Sequence, residues 1–215
     1  MNSIQNIKDI DIAANYTDCY RTLMKKKVPA KTKILTAAID ALIEGLGDIE
    51  MNDVAKRAGV SVGLAYHYFR SKAGLVSAVV EKFYDDYDAI MNERYDAEIP
   101  WQKREYKRLC AVVDFLYTSP LAPIMLANLG SSPEVLAVEA KRTRATVELA
   151  KANIADGQRK GYLREDINRE VAAGAIIGGI TLATAQALSN PALLDKETLT
   201  AQLWDFIYSP LAKRN

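Results

Sequence analysis

At 215 residues, with 49% hydrophobic and 8% aromatic side chains, the chain has the material for one or two domains around a sizeable core, which excludes a disordered protein. Two cysteines, Cys19 and Cys110, form no CxxC pattern, which excludes a disulfide framework and a cysteine zinc site; with no basic-then-apolar leader, the expected compartment is the cytoplasm. The formal charge of +1 hides an uneven spread: residues 21–75 carry ten Lys/Arg against five Asp/Glu, while residues 76–215 carry 17 against 19.

In chain order, Ile4, Ile7, Ile10 and Ala14 are spaced for one helix. Lys25-Lys26-Lys27, Lys31 and Lys33 then form a basic arm, readable as a contact to DNA backbone or minor groove or as a solvated linker. Ile34, Leu35, Ala38, Ala41 and Leu42 recur at helical spacing until Gly45 and Gly47. Short helices are expected over about 51–58 and 62–69, and Ser71 is a plausible N-cap for a long helix to about residue 96. Pro100 breaks the pattern, which resumes over about 101–118. Pro120 and Pro123 punctuate a short apolar helix ending near Gly130. Ser131-Ser132-Pro133-Glu134 opens a helix to about residue 160, closed by Gly157 and Gly161. The last two helices span about 169–189 and 195–208, separated by Asn190-Pro191. Strand signals are weak, with no NG or DG hairpin between alternating apolar runs.

The uncharged run 171–188, VAAGAIIGGITLATAQAL, reaches the lower length limit of a membrane span. Its richness in Ala, Gly and Thr, ordinary helix ends and missing aromatic belt favour a buried helix instead.

Residues 51–72, MNDVAKRAGVSVGLAYHYFRSK, carry most of the information. Val54, Ala55 and Ala58 offer a small apolar face for close approach of a second helix. Gly59 supplies a left-handed turn, Val60 pins it, and Ser61 caps the next helix. This is the layout of a helix-turn-helix, in which the second helix enters the major groove, and the basic excess coincides with it.

The motif resembles the DNA-binding domain of the tetracycline-repressor (TetR) family of bacterial regulators. Asp53, Val54-Ala55, Ala58-Gly59-Val60-Ser61, Gly63, Tyr66, Tyr68-Phe69 and Ser71-Lys72 carry the likeness, dense over about forty residues from Lys31. Beyond residue 80 it is one of length and architecture. The resemblance implies an all-α protein with an N-terminal three-helix helix-turn-helix domain followed by a helical ligand-binding and dimerisation domain. The expected division is 1–30, an extension with the basic arm; 31–75, the helix-turn-helix; and 76–215, the effector-binding and dimerisation part. Carried over by position, Tyr66 and Lys72 clamp phosphates, Lys31 sits near the DNA backbone, and Ser61, Val62, Gly63, Leu64, His67 and Tyr68 complete the DNA face. Two departures stand out. Val62 and Leu64 can touch thymine methyls but make no bidentate base contact, so readout is expected to rest on His67, Tyr66 and DNA shape. Glu50 stands where the family often has Thr or Ser near phosphate, and is expected to cap a helix and point away.

The same resemblance implies a homodimer on a double-stranded, palindromic operator, with a small-molecule effector in the body. Ala175, Gly179, Ala183 and Ala187 repeat every four residues beside Ile176 and Ile180, which suits a close helix interface or an intrachain contact. The helix 133–160 is expected to complete a four-helix bundle across the two-fold axis. Tyr87, Trp101, Tyr106, Asp114, Phe115, Tyr117 and Met125 are the candidate effector contacts, each also readable as plain core or, for Asp114, as a solvent-facing residue. No cofactor or metal is expected: His67 is the only histidine, without metal-spaced partners or a nucleophile motif. The rival readings are a regulator controlled by a protein partner and an enzyme using the helical body.

Overall fold

A computed structural model describes residues 28–96, 98–127, 132–190 and 194–213. The expected first helix, the Lys25-Lys26-Lys27 part of the arm, Gly130, Ser131 and Pro191 lie outside them. Among the described residues the structure is helical, and its one β pairing is an isolated antiparallel bridge between Leu163 and Ala212.

Three helices build the motif: α1 (Ala30–Glu44), α2 (Met51–Ala58) and α3 (Val62–Phe69). Helix α1 turns Ile34, Ala37, Ala38, Ala41 and Leu42 inward, the inner face of its helical pattern. Gly59 adopts φ 66°, and its N–H and that of Val60 close the end of α2 on Ala55 and Lys56 carbonyls. The Ser61 hydroxyl accepts from Leu64 N at 3.2 Å and starts α3. Ala55 and Ala65 are fully buried where α2 meets α3, so larger side chains would force the two helices apart. A bidentate Arg57–Glu44 pair, exposed and of modest worth, ties the ends of α1 and α2.

Helix α4 (Lys72–Met91) follows after a two-residue turn. Its first turn passes so close to the end of α3 that a Cβ on Gly74 would lie 2.1 Å from the Phe69 carbonyl oxygen. The Ser71 hydroxyl caps α4 by accepting from Gly74 N at 2.9 Å. Leu75 then packs into the motif's core, while Val79, Val80, Phe83, Tyr87 and Met91 point into the body. The body comprises α5 (Trp101–Thr118), α6 (Ala122–Leu126), α7 (Pro133–Arg159), α8 (Arg169–Ser189) and α9 (Lys196–Leu211). Helix α4 lies against α7 and α5, α7 against α8, and α9 against α5 and α8.

Several boundaries differ from the sequence reading. Helix α4 stops at Met91 instead of about residue 96: Glu93 N turns to Ile90 O in a tighter turn, and Arg108 donates to the carbonyls of Ile90, Met91 and, just past the helix, Glu93. Gly157 does not close α7 but lies inside it, buried, where a Cβ would meet Leu163 and Trp101 within 3 Å. Gly161, at φ 75°, makes the turn that follows. Helix α9 runs through Pro210 to Leu211.

Helix α8 has the length and composition to cross a bilayer. In the fold it packs on α5, α6, α7 and α9, with Ala172, Ala173, Ile177, Ile180, Thr184 and Ala187 inward.

The Gly74 contact gives a direct test. Gly74→Ala pushes α4 from the Phe69 carbonyl, and overpacking of this kind costs about 1–3 kcal/mol. A thermal melt is expected to shift down by several degrees; an unchanged melt would mean the α3–α4 junction is looser than described.

Candidate functional site

Two places in the fold gather side chains that folding alone does not account for. The first is the outer face of α3. Tyr66 and Tyr68 are 46% and 40% exposed, large aromatics left in water, and His67 is exposed between them with its ring edge-on to Tyr68. Ala65 and Phe69 form the inner face of the same helix. Val62 and Leu64 are half-buried, which limits what they can present. Gly63 is exposed, and a Cβ there would meet nothing within 4 Å. Glycine in a helix is less stable than alanine by about 1 kcal/mol, so the fold gains nothing from Gly63.

Basic groups surround this face. Lys31 is exposed, its Nζ 6.0 Å from the centre of the Phe69 ring. Lys72 stands at the first position of α4, where free backbone N–H groups also favour an anion. Its Nζ donates to Asp48 Oδ1 at 2.7 Å and to Glu50 Oε1 at 3.4 Å. Its hydrogen bond to Asp48 raises the Lys72 pKa above the ordinary lysine value, and the same bond lowers that of Asp48. Glu50 therefore does not cap α2 as expected: it is the N-cap residue by position, but its side chain makes no cap bond and turns to Lys72. The repulsion expected between this carboxylate and phosphate is met by pairing it with the nearest cation. Asp48 was missed by the sequence reading; its sign opposed the basic excess, and its reach to Lys72 depends on the loop between α1 and α2.

The second place is a cavity of about 70 Å³ in the body, walled by five helices. Leu109, Val112, Ile154, Ile177 and Ile180 supply most of its apolar wall, and Tyr87 and Met91 of α4 one side. Trp101 and Trp204, the chain's two tryptophans, both line it. Trp101 donates from Nε1 to the Asn153 carbonyl at 2.9 Å, and Trp204 stacks on Tyr208 with centroids 5.1 Å apart. The polar end consists of Glu105, Arg108 and Asn153. Arg108 is buried and spends its donors on Ile90, Met91 and Glu93 carbonyls and on Glu105 Oε2. Burial pushes the Glu105 carboxyl above its usual pKa, against the pull of Arg108. Burial likewise raises Tyr87.

The structure distributes the seven expected effector contacts. Tyr87 and Trp101 line the cavity. Tyr106 and Asp114 lie instead on a surface groove with Cys110, and Asp114 faces solvent and pairs with Lys196 at 2.6 Å. Phe115 packs on Phe83 and Tyr87, at centroid distances of 5.2 and 6.2 Å. Met125 is buried on α6, and the buried Tyr117 hydroxyl has no hydrogen-bond partner among the described residues. The sequence reading ranked aromatics and passed over Glu105, Arg108 and Asn153. The signal was available: Trp101, Glu105, Arg108, Leu109 and Val112 fall on one helical face.

Helix α8 splits its expected interface set too. Ile180 and Ala187 are buried within the chain, and Ile176 lines the cavity. Ala175 is exposed, while Gly179 and Ala183 are half-buried. The outward apolar groups are Val171 and Leu182 on α8, and Phe206 on α9, each at least 65% exposed. The outer face of α7 carries Lys141, Arg144 and Glu148 together with the exposed Leu136.

A charged helix-turn-helix face at one end and a walled cavity at the other can be set beside known proteins. Residues 34–79 match the family described as bacterial regulatory proteins, tetR family. The HTH-type transcriptional regulator BetI of Escherichia coli (strain UMN026) is 38% identical over 82 residues. That match takes in 35% of this chain and 40% of BetI, so the chain spans well under half the length of the curated relative it matches. Two solved structures share the fold. The fatty acid degradation regulator FadR of Bacillus halodurans has a TM-score of 0.70 at 21% identity, over 88% of this chain and all of that one. FadR of Bacillus subtilis, solved in complex with stearoyl-CoA, has a TM-score of 0.70 at 18% identity, over 84% and 99%. At such identities the likeness establishes the fold alone, and the motif carries the family likeness: residues 34–79 form a DNA-binding domain of the kind found in the tetR family of bacterial regulatory proteins.

Proposed function

We propose that the protein is a sequence-specific DNA-binding transcriptional repressor that acts as a homodimer and is released from its operator by a small molecule held in the body cavity. The observation that carries the reading is the outer face of α3. Its exposed Tyr66, His67 and Tyr68, and its unneeded Gly63, cost the isolated protein stability and become useful when a second surface covers them. A major groove edged by phosphates fits: Gly63 lets the backbone approach, the tyrosine hydroxyls reach phosphate, and His67 is the polar side chain placed to read a base.

A palindromic operator needs two motifs. The outward apolar groups Val171, Leu182 and Phe206 favour a dimer contact through α8 and α9 over one through α8 and the helix 133–160, whose outer face mixes charged side chains with the less exposed Leu136. Gly174 and Gly178 leave open space where a Cβ would stand, room for a partner helix to come close. The cavity supports an effector because its wall includes Tyr87 and Met91 of α4, the helix that begins beside α3. A ligand that fits one position of α4 better than another shifts the two motifs between DNA-competent and incompetent spacings. The stearoyl-CoA held by Bacillus subtilis FadR supports a ligand site in a protein of this fold.

Lys72→Ala is expected to weaken binding to specific and random duplexes alike and to lower the salt slope by about one for each Lys72 that meets a phosphate. Asp48→Asn with Glu50→Gln should act in the opposite direction, tightening both, since Lys72 no longer exchanges a carboxylate for a phosphate. Salt-dependent binding titrations of the three proteins test this, and a loss confined to the specific duplex would overturn the role of Lys72. Gly63→Ala should leave the melting temperature unchanged or slightly raised while DNA affinity falls. A drop in stability with DNA affinity intact would show that Gly63 serves the fold.

A further inference from the structure

We propose that the body cavity selects a small apolar molecule ending in a hydrogen-bond donor, an amine foremost, and discriminates against carboxylates. This rests on the reading of the cavity as the effector site and names the chemistry that the site takes.

Donors and acceptors at its polar end are unequally spent. The donors of the wall beside Glu105 are committed, and Arg104, whose buried Nε has no partner among the described residues, is not part of that wall. Arg108 places Nε on Glu105 Oε2 at 3.2 Å, and its terminal nitrogens on the carbonyls of Ile90, Met91 and Glu93 at 2.7–3.2 Å. The Trp101 N–H is committed to the Asn153 carbonyl. The Asn153 amide donates from Nδ2 to the same Glu105 Oε2, at 3.3 Å. What remains is acceptors: Glu105 Oε1 and Asn153 Oδ1 receive no hydrogen bond from any described residue, and both side chains line the cavity. The Tyr87 hydroxyl serves either way.

A carboxylate entering here would meet a second carboxylate. It would also find the one guanidinium of the wall already holding the end of α4. Taking Arg108 from those carbonyls would leave the buried Met91 carbonyl without its donor, which is costly. An ammonium or hydroxyl instead completes Glu105 and Asn153 and disturbs nothing, while its hydrocarbon part meets Leu109, Val112, Ile154, Ile177 and Ile180. A charge-assisted bond in a dry wall is the stronger of the two, which puts the amine first. The volume of about 70 Å³ restricts the ligand to a few heavy atoms unless the half-buried Trp204 and Ile207 move outward. A long acyl thioester such as that held by Bacillus subtilis FadR does not fit this wall.

Because both tryptophans line the cavity, their emission reports its filling directly. The test titrates the full-length protein with pentylamine, 1-pentanol and pentanoate at neutral pH, following tryptophan emission and melting temperature. The expected order is pentylamine, then pentanol, then pentanoate, with at least about a tenfold span between the ends. Glu105→Gln should reduce the amine's advantage over the alcohol to near nothing. The wild-type series stands by itself if that variant folds poorly. Pentanoate binding as well as pentylamine, with all three bound, would overturn the donor preference and leave the cavity reading standing. No response to any of the three would overturn the cavity as a ligand site, and the preference with it.

Discussion

Helix α4 is the constraint on which the rest depends, because one rigid element is built into both functional places. Its first turn is pressed against α3 at Gly74, Leu75 belongs to the motif's core, and Tyr87 and Met91 belong to the cavity wall. Two arginines from the body fix the helix between those ends. Arg142 of α7 takes the carboxylates of Glu81, Asp85 and Asp88, which fall on one face of α4. Burial opposes the charge of Arg142, yet these partners hold its pKa above the ordinary arginine value. Arg108 of α5 closes the C-terminal carbonyls of the helix, where a cation is favoured by the helix dipole as well as by hydrogen bonds. A helix held this way transmits a displacement along its length instead of absorbing it.

The DNA face obeys a different economy. Exposed pairs such as Lys72 with Asp48 and Glu50 add little to stability, being screened by water and salt. On the proposed reading their effect is on binding, since the lysine would exchange carboxylate for phosphate. The ten basic residues over 21–75 therefore overstate the free positive charge that DNA would meet.

Much of this was legible in the sequence, for physical reasons. The Ala-Gly-Val-Ser turn, the Ser61 and Ser71 caps and the prolines at 100 and 133 act locally, so α2, α3, α5 and α8 fall where periodicity and capping put them. What was not legible was anything decided by meeting of distant segments. The end of α4 is held by Arg108, seventeen residues beyond Met91, and its pattern gives no sign of that. Glu50 turned to Lys72 because the loop brings residues 22 apart in sequence together. The aromatics on α5 were readable as ligand wall or as plain core, and only Trp101 among them faces the cavity; Phe115 was absorbed by ring packing and Tyr106 left outside. The small-residue repeat on α8 marked a close-packed helix without saying which flank faces outward. That was settled by which neighbours cover it.

The most direct test of the account offers the protein a pool of duplexes with a randomised centre and enriches those retained through successive rounds at physiological salt. The account predicts a single enriched sequence in the form of an inverted repeat, its half-sites about one helical turn apart, as two copies of α3 on a two-fold axis require. Retention of the pool without any enriched sequence, or enrichment of one unpaired half-site, would contradict it.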